Sequence, residues 1–357
     1  MGQNATGRNR IASLDSCRGI AILMVVGFHV SITYKPAAWL GQLAILGNLG
    51  VQLFFLVSAV TMGMMWDQRR NEPQRTLKFY IRRFFRIAPL FWFAIALYTL
   101  AWHISPDGSA LQGVTWFQIA VTALFVHPFF PDAINLVVPG GWSIGIEMGF
   151  YAVFPFLALM SKDHLPLFSF ATYVVLGLFA TAVAEHFAHG DNYAGFLYYS
   201  FLTQLPIFPI GMFVYGVTHS EVKLSRRYIG VLVALWLCIA IVAKLKFHLN
   251  SRPLFWFEVM ALAVVVGGAI RWNLAAKSLA YVGRLSYSMY LFHFAVLYFL
   301  ERLFGNHWSY FLGLAITLAI TIGIATVSQA TAERWSQEFA RYIVNSLKSN
   351  SVVTAKA

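Results

Sequence analysis

The sequence predicts an all-α protein, a polytopic membrane helix bundle of about ten transmembrane helices with one re-entrant or interfacial segment. Composition is the first reason. Of 357 residues, 59% are hydrophobic and 11% charged, with a mean hydropathy of +0.65, whereas soluble domains are roughly 45–50% apolar and about 25% charged. The second is spacing: apolar segments recur at 12–34, 49–66, 84–102, 115–130, 142–160, 167–187, 196–218, 228–246, 254–272, 283–303 and 309–332, most of them near the ~20 residues that a span requires. The third is charge. The net +12 lies in short segments between apolar runs, as orientation signals do, which argues against nucleic acid as a partner.

The first segment follows a polar, basic MGQNATGRNR and carries Arg18 and His29 without a small-x-small cleavage site, so it reads as an uncleaved span rather than a signal peptide. MGQNAT fits the myristoylation pattern loosely, a chance match in a chain held by many helices. Arg18 and His29 stand eleven residues apart. At 100° per residue they share one face, about 16 Å apart along the axis, with Asp15 nearly on it. Charged groups in lipid cost free energy unless paired or lining a polar path, which marks this face as functional. In the second segment, GVQLFFLVSA, a small-residue step around Ser58 allows close helix contact.

Seven Arg and Lys crowd residues 67–86, and the positive-inside rule places them in the cytoplasm. In RRFFRIAPLFW, which contains Arg82, the pair Arg83 and Arg86 is spaced i, i+3 at that boundary, where guanidinium groups can grip phosphates. Lys223, Arg226 and Arg227, then Arg271, Lys277 and Arg284, then Arg334, Arg341 and Lys348 mark further cytoplasmic segments. Parity then requires one segment between 86 and 219 not to cross. The weakest is WFQIAVTALFVHPFF at 115–130, short and interrupted by Gln118 and His127. The loop with Lys244, Lys246 and Arg252 then falls outside, against the charge rule. Both termini are expected in the cytoplasm, with a membrane domain over 1–340 and a cytoplasmic tail over 341–357.

GGWSIGIEMGFYAVFPF sets Glu147 and Tyr151 one turn apart near the outer end of a span, and GRLSYSMYLFHF carries Ser286, Tyr290 and His293. Singly, each has a plainer reading. Arg83 and Arg86 satisfy the orientation rule, Ser58 is a small interface residue, Glu147 is a carboxylate favoured at a helix start, and His293 is a hydrogen-bonded packing residue. Arg18 with His29 is harder to dismiss. Cys17 and Cys238 lack CxxC or metal-site spacing and read as buried thiols; no metal is expected. No internal repeat or low-complexity tract is visible.

Taken together, the segments resemble membrane acyltransferase family 3, which O-acylates glycans at bacterial membranes. The resemblance runs from LDSCRGIAILMVVGFH to AERWSQEF. It rests on the arginine-x10-histidine pair Arg18 and His29, the arginine-x-x-arginine pair Arg83 and Arg86, the WSIGIEMGFYAVFP block with Glu147, and GRLSYSMYLFH. Ser58-Ala59 replaces the usual Ser-Gly, and Glu333-Arg334 the acidic-proline pair. Some members carry a fused esterase-like domain, for which this chain is expected to be too short. The resemblance implies a multi-pass protein of the bacterial cytoplasmic (inner) membrane, with no permanently bound cofactor and with cytosolic acyl-CoA, usually acetyl-CoA, as donor. The acceptor would be a glycan or a lipid-linked saccharide, lipopolysaccharide O-antigen among them. His29 is expected as general base, Arg18 as the group that orients or charge-stabilises the acyl-CoA side, Asp15 as its partner, and Arg82, Arg83 and Arg86 as phosphate ligands. Glu147, helped by Tyr151, would stand at the acceptor end, with Ser58, Tyr290 and His293 touching substrate. A transporter of an acyl group, glycan or small anion, without catalysis, is the alternative.

Overall fold

In a lipid environment every backbone polar group must be satisfied internally, and each regular element of the computed structural model is accordingly helical. It describes residues 2–104, 114–160, 165–187, 198–219 and 252–354. The α-helices are α1 (Gly2–Thr33), α2 (Ala38–Ile45) continued through a 3₁₀ turn into α3 (Gly50–Gln68), α4 (Arg75–Ile104), the short α5 (Trp116–Ala123), α6 (Gly141–Met160), α7 (Leu165–Phe187), the short α8 (Phe201–Gln204), α9 (Ile207–His219), α10 (Arg252–Arg271), α11 (Lys277–Phe304), α12 (Tyr310–Ser328) and α13 (Arg334–Thr354). Among the described residues six stretches are long and apolar enough to cross a membrane: Ala12–Thr33, Ala38–Gln68, Arg75–Ala101, Gly141–Leu159, Phe201–His219 and Tyr310–Leu347. The span expected at 228–246, with Cys238, lies outside the described residues. Cys17 is a buried free thiol.

The segment at 115–130 does not form a spanning helix. α5 has eight residues, about 12 Å of rise against a hydrocarbon core of about 30 Å. It ends at Ala123 with Leu124 as its C-cap, and the chain turns away at Phe125, whose φ is 63°. The boundary expected at 341 falls inside α13, which lies along α4 with the rings of Phe85 and Phe339 meeting edge to face. Pro89 explains one of their contacts: proline has no N–H to give the carbonyl four residues back, and the freed Phe85 carbonyl accepts from the Ser336 hydroxyl instead. Between α12 and α13 one π turn, Gln329–Glu333, buries Glu333, which accepts from Ser288 of α11.

α1 packs most extensively on α11. The two backbones touch because the crossing is made of glycine on both sides: a Cβ on Gly283 would sit 1.7 Å from the Asp15 carbonyl oxygen, and one on Gly19 would sit 2.1 Å from that of Leu279. Without a hydrophobic drive between helices in lipid, such close packing of small residues supplies the association. α11 is long enough to span yet fails on apolar content; Arg284, Ser286, Ser288, Tyr290, His293 and Glu301 interrupt it. Its polar side faces the site.

Candidate active site

The cleft between α1, α3, α4, α6 and α11 collects most of the side chains singled out in the sequence. Arg18, Ser58, Arg83, Arg86, Glu147, Tyr151 and Tyr290 all line it. Helical spacing supplies the local pairs. Asp15 and Arg18, three residues apart on α1, form an ion pair of 2.9 Å with side chains only 14% and 15% exposed. The second guanidinium nitrogen of Arg18 donates to Thr61 Oγ1 of α3 at 2.7 Å, and the Thr61 hydroxyl in turn donates to the Val57 carbonyl. On α6, Tyr151 donates to Glu147 Oε1 one turn back; Ser58 of α3 donates to the same oxygen at 2.6 Å. Two donors on Oε1 leave Oε2 for whatever enters the cleft.

Arg83 stands eight residues, about 12 Å, beyond the start of α4 and is 8% exposed. The sequence placed it at the membrane boundary; α4 begins at Arg75, two turns earlier than the expected span, and carries Arg83 into the bundle. There it faces the Tyr151 ring at 5.4 Å and the Met65 sulfur at 3.0 Å, with no ion-pair partner among the described residues. Arg86, one turn on, also lines the cleft without an ion pair among them. With Asp15 neutralising Arg18, the cleft's own lining sets two guanidinium groups against one carboxylate, Glu147, and is cationic on balance; Glu333, buried behind it, also acts on Arg86. Arg82 does not join it. Its guanidinium grips Glu72 through bonds of 2.8 and 2.5 Å on the connection between α3 and α4, and these hold the Glu72 carboxyl below the usual carboxylate range, against the opposing effect of burial.

Tyr290 anchors the start of α6 by donating to the Gly140 carbonyl at 3.0 Å and accepting from Ser143 at 2.8 Å. Gly140 has a φ of 76°, a left-handed conformation that glycine adopts freely. His29 does not line this cleft. It borders a second, largely apolar cavity of about 260 Å³ with Thr33, Tyr98, Phe294, Tyr298 and Glu301. His29 Nδ1 lies 3.1 Å from Nε2 of His293, which is fully buried. α11 runs past both spaces. Ser286, Tyr287 and Tyr290 face the cleft and Phe294, Ala295 and Tyr298 the cavity, with His293 between them. Sequence reasoning missed Thr61, Tyr287 and Ser143. Thr61 left a trace as a polar residue three positions after Ser58 on a largely apolar helix, and Ser143 and Tyr287 lie inside the WSIGIEMGFYAVFP and GRLSYSMYLFH blocks without standing out there.

The cationic cleft and the histidine-bordered cavity lie side by side within one helical bundle, and sequence comparison names the class. The acyltransferase domain family matches residues 11–328. The chain therefore belongs to acyltransferase family 3, and it is a multi-pass membrane acyltransferase. It is similar to BcsY of Komagataeibacter xylinus, designated a membrane-bound transacylase, at 27% identity over 93% of this chain and 84% of that protein. It is also similar to the O-acetyltransferase OatA of Staphylococcus aureus, at 22% identity over 82% of this chain, where it spans about half (51%) of the relative's length. The peptidoglycan O-acetyltransferase OatA of Listeria monocytogenes matches 43% of this chain at 25% identity. No solved structure matches the chain.

Proposed function

We propose that this protein transfers an acyl group, acetyl by preference, from cytosolic acyl-CoA to a hydroxyl of a cell-surface or exported glycan, in the bacterial cytoplasmic membrane, with ten spans and both termini inside. The observation that carries the reading is the pair of spaces along α1 and α11, a cationic cleft around Arg83 and Arg86 and an apolar cavity reached by His29. The arginines suit the anionic donor: charge-assisted contacts between guanidinium and phosphate are among the stronger polar interactions. The aromatic cavity suits a sugar or the lipid that carries it. The O-acetyltransferases among the relatives support a hydroxyl as acceptor.

In this scheme the acyl-CoA phosphates rest on Arg83 and Arg86, and its thioester approaches the wall between the spaces. Arg18, fixed by Asp15 and Thr61, supplies positive charge on the donor side. A hydroxyl oxygen of the acceptor attacks the thioester carbon while His29 takes its proton. The carbon–sulfur bond breaks, and the imidazolium returns the proton to the coenzyme A thiolate. Glu147, fixed by Ser58 and Tyr151, orients polar groups entering the cleft. General-base catalysis of this kind contributes typically 10²–10⁴-fold. The test is His29→Ala, expected to abolish acceptor acylation at equal membrane abundance; acylation near the wild-type level would end His29's assignment as the base.

A further inference from the structure

The His29–His293 pair fixes which nitrogen of His29 can act. His293 Nδ1 lies 2.8 Å from the Tyr290 carbonyl oxygen and 3.2 Å from that of Met289. Carbonyl oxygens only accept, so Nδ1 of His293 must carry a proton. The ring is 0% exposed and no carboxylate touches it among the described residues, and a buried imidazolium without a counter-ion is costly. His293 is therefore neutral, and its Nε2 bears a lone pair. The 3.1 Å contact to His29 Nδ1 then needs a proton from the other side: His29 is protonated on Nδ1. The Val25 carbonyl one turn back on α1 also lies within reach of the His29 ring, and as an acceptor it cannot supply that proton; with Nδ1 protonated, Nε2 carries the lone pair.

We infer that His293 is a positioning residue that holds His29 in the Nδ1–H tautomer and presents Nε2 as the proton acceptor. The inference rests on the assignment of His29 as base. It removes His293 from direct substrate contact and gives it the orienting task that a carboxylate or carbonyl performs for catalytic imidazoles elsewhere. Phe294 lies against both rings, 4.3 Å from His29 and 4.2 Å from His293 between centroids, and restricts their rotation. When Nε2 takes the hydroxyl proton, Nδ1–H keeps its acceptor on His293, so the cation forms without any rearrangement of the pair.

Two measurements test this. The first is a nitrogen-15 spectrum of histidine-labelled protein in bilayers, with the His29 signals identified by their loss in His29→Gln. The neutral ring should show Nδ1 protonated, and a proton on Nε2 would overturn the inference without recourse to any position-293 variant. The second compares His293→Gln, whose side-chain oxygen can still accept from His29, with His293→Leu, which fills the space and accepts nothing. The glutamine variant should retain kcat within about tenfold, while the leucine variant should lose about 100-fold or more with acetyl-CoA affinity unchanged. Equal activity of the two variants at equal abundance would reduce His293 to packing. If His29→Ala proves active, the base assignment falls instead, and the spectrum still reports whether the pair sets the tautomer.

Discussion

Gly283→Ala should be among the most damaging conservative changes in this protein. The added Cβ would stand 1.7 Å from the Asp15 carbonyl oxygen, where real contacts essentially never fall below 3.0 Å, so α1 and α11 must part by at least 1.3 Å (3.0 − 1.7). The obstructing atom is backbone and cannot rotate aside. Overpacking costs typically 1–3 kcal/mol and occasionally more; a clash of two backbones belongs at about 3 kcal/mol, or roughly 150-fold in the stability constant. The site should suffer with the fold. A separation of 1.3 Å at His29 and His293 would carry their 3.1 Å contact beyond hydrogen-bond range. Gly177→Ala and Gly323→Ala are the controls, because nothing lies within 4 Å of a Cβ at either position, and alanine there should be neutral or stabilise by up to about 1 kcal/mol. The assay is thermal unfolding of the purified proteins in one detergent, with acylation measured in parallel. A Gly283→Ala protein as stable and active as the controls would refute the close crossing and the contacts derived from it.

Arg83→Gln combined with Arg86→Gln should weaken acetyl-CoA binding at least tenfold by calorimetry, since each charge-assisted contact is worth about 1.5–3 kcal/mol; lysine at both positions should restore only part, having lost the planar fork. Unchanged affinity would return both arginines to an orienting role. Cysteine labelling from each side of the membrane should find positions near 74 and 224 inside and positions near 107 and 136 both outside; opposite labelling of 107 and 136 would mean that 115–130 crosses. Glu72 carries a pH dependence with a definite sign. Its folded pKa is depressed by Arg82, so its stabilising effect is present above the ordinary glutamate value of about 4.3 and is lost as pH falls through the lowered value. Glu72→Gln should thus melt below wild type at neutral pH and converge with it in acid, and a difference independent of pH would show that the ion pair is not the cause.

Composition and the length of the apolar segments made the class readable in the sequence, and helical periodicity half of the site. It fixes what shares a face of one helix, and so Asp15 with Arg18, Arg83 with Arg86, and Glu147 with Tyr151 could be paired from spacing alone. The short, interrupted 115–130 segment could likewise be set apart by length and charge parity. Only the tertiary structure decided what meets across helices: Thr61 on Arg18, Ser58 on Glu147, and His293 on His29, 264 positions away. It also moved Arg83 from the boundary into the bundle and sent Arg82 to Glu72. The physical reason lies in how helices associate in lipid. Apolar faces are nearly interchangeable there, and the register of α1 on α11 is set by Gly19 and Gly283, whose meeting becomes visible only when the two backbones are laid against each other.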